Sequence, residues 1–64
     1  MSRFLVHVSN GKAYDYLKKG GHGLSEDTAY MFATQDEAED AIEYAEENGV
    51  FDPEEFEAQI VEIG

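Results

Sequence analysis

At 64 residues the chain has room for one hydrophobic core, so residues 1–64 read as a single domain. With no cysteine, that core must hold by packing and hydrogen bonding, with self-association as a further source of stability, as suits a reducing compartment. Fifteen Asp and Glu against four Lys and Arg give a formal charge of −11, which disfavours direct contact with a nucleic-acid backbone and favours basic partners.

The charge is also unevenly placed. Arg3, Lys12, Lys18 and Lys19 all precede residue 20, and fourteen of the fifteen acids follow it, so the two parts carry +3 and −14. An acidic chain can be disordered, but eight aromatics and 42% apolar residues are enough to build a core. No stretch reaches the about 18 apolar residues of a membrane span, and Met1-Ser2-Arg3 leads into a strand-like segment without an apolar leader. An unprocessed cytoplasmic protein with no membrane contact is therefore expected.

In chain order, Arg3-Phe4-Leu5-Val6-His7-Val8 is short, β-branched and aromatic, and Asn10-Gly11 supplies the residues that best tolerate a type I′ turn. A two-residue loop there predicts a hairpin in which Val8 faces Ala13, Val6 faces Asp15 and Phe4 faces Leu17, with His7 opposite Tyr14 and Leu5 opposite Tyr16. The first set forms an aliphatic core face; the second is an aromatic face flanked by Arg3, Lys12 and Lys18. Asp15 falls on the core face and needs a sheet edge to reach water. Gly20-Gly21-His22-Gly23 predicts a mobile loop. Ser25 then caps a single helical turn through Asp27 or Thr28, and Ala29-Tyr30-Met31-Phe32-Ala33 has the composition of a third strand.

Thr34-Gln35-Asp36-Glu37 is a capping box in which the Thr34 hydroxyl takes the Glu37 amide and the Glu37 carboxylate returns to the Thr34 amide. Ala38, Ala41, Ile42 and Ala45 then recur at i, i+3, i+4 and i+7, and Asn48-Gly49 ends the helix in a left-handed conformation. Asp52-Pro53-Glu54-Glu55 carries the marks of another short helical start. Ile60-Val61-Glu62-Ile63 is β-branched enough to close the sheet, although Phe56, Ile60 and Ile63 also fit a helix. The expected fold is α+β: a mainly antiparallel four-stranded sheet in ββ-turn-βαβ order, with one long helix on one face.

Asn10-Gly11-Lys12 between two strands, the run from Ala29 to Glu39, and the closing Ile60-Val61-Glu62-Ile63 resemble small ββαβαβ-type modules common among bacteriophage and mobile-element proteins. Acidic members of that size are similar in kind to host-takeover inhibitors, including anti-CRISPR proteins and DNA mimics. The resemblance implies a viral protein that acts on a bacterial defence or host protein, in the bacterial cytoplasm. It assigns no functional residue.

Two surfaces are candidates for binding. Asp36, Asp40, Glu43 and Glu47 recur at i, i+4, i+7 and i+11 and form a carboxylate stripe about 16 Å long, with Glu39 and Glu46 beside it. Such a row can imitate backbone phosphates to a basic groove, or it can serve as a solvated face that keeps a small protein dispersed. The absence of any Lys or Arg after residue 19 favours the first, since an exposed helix ordinarily pairs its charges at i, i+4. Tyr14 and Tyr16 with His7 form the second surface, as a docking face or as sheet-stabilising pairs. The leading expectation is an inhibitor that occupies the basic surface of a nucleic-acid-handling protein. The alternative is an interaction module that docks a partner, or a second copy, through the aromatic hairpin face. Two lone histidines, no cysteine and no nucleophile motif give no basis for an enzyme, a metal site or a cofactor.

Overall fold

The computed structural model describes residues 2–12 and 14–64. Its elements are β1 (Arg3–Ser9), β2 (Tyr14–Leu17), β3 (Leu24–Ser25), α1 (Gln35–Glu47) and β4 (Glu57–Ile63). The strands form one antiparallel sheet in the order β3-β2-β1-β4, so α1 connects two distant parts of a sheet whose centre is β1. The chain is thus the expected α+β fold with one helix on a four-stranded sheet. Its radius of gyration is 10.6 Å, against roughly 11 Å for a packed chain of this length, so the acidity does not prevent collapse.

The hairpin forms, but in a shifted register. His7 pairs with Tyr16, Val8 with Asp15 and Ser9 with Tyr14, which makes the connection four residues long, not two. An Asx turn accompanies the longer loop: the Asn10 Oδ1 accepts from the Lys12 amide at 2.9 Å, and Gly11 adopts φ +89°. A slip of two residues returns every side chain to its original face, so the expected division into core and aromatic faces survives. The expected Val8–Ala13 pair involves a residue outside those described. Asp15 is half-buried, at a point of β2 beyond the end of its pairing with β3.

The third strand lies elsewhere than expected. β3 is Leu24–Ser25, paired with Tyr16 and Leu17, and the 29–33 segment contributes a single bridge in which Phe4 and Phe32 exchange backbone hydrogen bonds of 2.9 and 2.6 Å. Phe32 is buried while Tyr30 and Met31 stay exposed, so one anchored ring holds this segment before the chain turns into α1. The Ser25 hydroxyl does accept from the Thr28 amide at 3.1 Å, but no helical turn follows.

The glycine-rich segment is a packed turn and not the loose loop its composition suggested. Lys19–Gly21 forms a 3-10 turn closed by Gly21 N–H to the Lys18 carbonyl at 3.0 Å. Gly21 is buried with φ +76°, and a β-carbon there would collide with the Ala41 carbonyl of α1. Glycine is needed here because the helix backbone occupies the side-chain position.

Helix α1 begins as its sequence dictates, with the Thr34 hydroxyl accepting from the Glu37 amide at 3.1 Å. The return arm differs by one residue: Glu37 Oε2 takes the Ala33 amide at 3.1 Å, not that of Thr34. At the other end Val50 N–H reaches the Ala45 carbonyl at 2.9 Å and Gly49 adopts φ +71°, a Schellman closure. Asp52 forms a turn, not a helix, through its Oδ1 to the Glu54 amide at 2.9 Å and its carbonyl to the Phe56 amide at 2.8 Å. β4 then starts at Glu57, three residues before the β-branched run, and pairs with β1 along its whole length. Ala38, Ala41 and Ala45 are buried against Val6, Val8, Leu17, Phe32 and Phe51, with Ile42, Ala58 and Ile60 at the margin.

Candidate functional site

Helix periodicity decides what α1 shows. Since Ala38, Ala41 and Ala45 point into the sheet, Asp36, Asp40, Glu43 and Glu47 lie on the opposite, outermost line, and all four are exposed. Glu39 and Glu46 are also exposed but lean to one flank. There, with Glu43, they rim a groove of about 550 Å³ between α1 and β4, whose apolar lining is Ile42, Ala58 and Ile60. Asp40 leans the other way with Glu37, beside Lys19, into a groove of about 390 Å³ lined by Tyr30, Phe32 and Tyr44. The seven acids of α1 thus share one side of the molecule, spread over a ridge and its two flanks.

That helix is electrostatically unfavourable on its own terms. Asp36 and Glu37 sit well against the positive end of the helix dipole, but Glu46 and Glu47 occupy the negative end and no basic residue is in the last turn. Asp36–Asp40, Glu39–Glu43 and Glu43–Glu47 are like-charge pairs at i, i+4, each costing about 0.2–0.5 kcal/mol. The caps and the alanine contacts offset this repulsion; nothing on the helix neutralises it.

Tyr14 and Tyr16 belong to the opposite side of the sheet. The His7 ring lies 3.6 Å from Tyr14 and 6.0 Å from Tyr16, and the two tyrosines meet edge-to-face at 5.6 Å. Hydrogen bonding to the Tyr14 side chain, then burial, raises the Tyr16 phenol above its usual range, so it stays uncharged at neutral pH. His7 Nε2 is shut away from solvent and has no hydrogen-bond partner among the described residues. Tyr14 itself is 58% exposed. The candidate residues therefore form two sites, and no one partner patch touches both.

Sequence reasoning did not identify Val61 and Ile63 as surface residues of this second site. They stand next to Leu5 and Arg3 across the β1–β4 pairing and are 39% and 44% exposed. The early start of β4 hid them, because the alternation runs through Glu57 and Gln59 before any apolar residue reaches that face. The contact of His22 with Tyr44, edge-to-face at 4.7 Å, also had no sequence signal, since it depends on the glycine turn docking on α1. Among the described residues no group of three or more His, Asp or Glu is placed to hold a metal ion, and no helix is long and apolar enough to cross a membrane. No protein-family model, curated protein or solved structure matches the chain.

Proposed function

We propose that this protein is a binding protein, not an enzyme, whose α1 face occupies a basic surface of a bacterial defence or host protein that otherwise holds nucleic acid. The observation that supports the reading is the carboxylate ridge Asp36, Asp40, Glu43 and Glu47, all four exposed on a helix that carries no cation. A basic groove would relieve the like-charge repulsion along the ridge, so part of the binding free energy is already stored in the free helix. Spacing along the ridge is about 4.5–6 Å per carboxylate, short enough for successive Lys and Arg of a phosphate-binding groove. The ridge also stands clear of the sheet, so the fold need not rearrange to present it.

The test is capture from a nuclease-treated bacterial lysate with two baits, the parent chain and the double variant Asp40→Lys with Glu43→Lys. The parent is expected to retain nucleic-acid-handling proteins that added DNA displaces and that elute steeply with salt. The variant is expected to lose them. Equal retention by both baits overturns the proposal and leaves the acidity to serve dispersal alone.

A further inference from the structure

One face of the sheet carries apolar surface that nothing in the described chain covers. Alternation along β1 and β4 places Leu5 and Val61 side by side on it, with Ile63 at one end and the His7, Tyr14 and Tyr16 cluster at the other. Because α1 packs on Val6 and Val8, it cannot reach this side. We propose that two copies of this chain associate through this open sheet face, related by a two-fold axis that runs β1 of one copy antiparallel over β1 of the other.

Charge selects the occupant. In a chain of −11, this face places Arg3 at one end of β1 and Glu57, paired with Ser9, at the other. An antiparallel two-fold sets Arg3 of each copy near Glu57 of its mate, which gives one complementary pair at each end of the contact. A basic partner is attracted more strongly to α1, and an acidic one or a nucleic acid is repelled by the molecule as a whole. A second copy avoids both outcomes because its acidic helix lies on the far side of its own sheet. Two sheets about 10 Å apart with a helix layer outside each put the helices roughly 30 Å from one another, several times the Debye length of about 8 Å in physiological salt.

Joining two copies at the free edge of β4 is the competing arrangement, and it is opposed by the same charges. It would bring the Glu39, Glu43 and Glu46 rims of both grooves together across the joint. The contact is small. β1 and β4 have seven residues each and β2 has four, so two copies bury less than about 1,000 Å² between them, in the range of weak, transient contacts. A weak dimer, populated only at high protein concentration, is expected of such a contact.

Sedimentation equilibrium of the full chain from 10 µM to 2 mM, at low and high salt, tests this, together with amide chemical shifts followed on dilution. The expected result is a monomer–dimer equilibrium, with the dilution-dependent shifts gathered on Leu5, His7, Tyr16 and Val61. Val61→Lys should weaken it at least tenfold with an unchanged circular dichroism spectrum, and Tyr14→Ser should do so in part. The helix reversal Asp40→Lys with Glu43→Lys should leave the dimer in place, so the result is independent of what α1 binds. A monomer at every concentration and salt overturns the proposal. So does a dimer that survives Val61→Lys, or one whose shifts fall on Glu39, Ile42 and Ile60.

Discussion

The two faces of the sheet are built from the same strands and meet different fates. On one, Val6, Val8 and Leu17 are completely buried under the alanines of α1; on the other, Tyr14, Val61 and Ile63 remain 58%, 39% and 44% exposed. A single thirteen-residue helix has one apolar stripe and can cover one face only. The covered face therefore supplies stability, while the open face and the outer side of the helix are left to be surface. In a chain this small the stable and the available parts lie within one layer of each other.

The largest expected effect tests how α1 is held to the covered face. Gly21→Ala adds a methyl where the Ala41 carbonyl already lies and forces an alanine to φ +76°, so a loss of about 4 kcal/mol is expected from overpacking and left-handed strain together. Gly20→Ala is the control: its φ is similar at +68°, but its added methyl meets only the movable ring of His22, and about 1 kcal/mol should be lost. Urea unfolding of both variants checks the difference; equal losses would mean that the turn does not dock on the helix.

Next in size is the contrast between the faces themselves. Leu17→Ala empties a fully buried site and should cost about 3 kcal/mol, whereas Val61→Ala on the open face should cost under about 1 kcal/mol in dilute, monomeric protein. Comparable costs at both sites would show that the open face is packed against something in solution even at low concentration.

The smallest effect has the opposite sign. Asp40→Lys with Glu43→Lys turns the Asp36–Asp40, Glu39–Glu43 and Glu43–Glu47 repulsions into attractions and should raise stability by about 1 kcal/mol at low ionic strength, with the gain shrinking in salt. Thermal melts at two salt concentrations measure it. A fold that strengthens while the captured partners are lost is the pattern of a surface kept acidic for binding at a cost in stability. A destabilised variant would instead place these carboxylates in the fold.

Local chemistry was enough to locate α1 between Thr34 and Gly49, because capping and the alanine stripe act within a few residues of each other. The division of the hairpin into two faces was equally legible, and it survived a register error because side chains repeat every two residues. Strand identity in the 24–33 region was not legible. Composition favours Ala29–Ala33, yet pairing went to Leu24 and Ser25, which the Lys19–Gly21 turn delivers beside β2. The reach of β4 back to Glu57 likewise depends on the seven residues of β1 that lie opposite it in the ladder, whose pairing outweighs the weak strand preference of Glu57 and Gln59. The acidic residues of the helix could be read directly, but their grouping into a ridge and two flanks could not. The sequence alone determined which side of α1 faces water, because one turn of helix links those positions. Only the tertiary structure decided what flanks that side and which face of the sheet stays open, because both depend on elements far apart in the chain packing against a single helix.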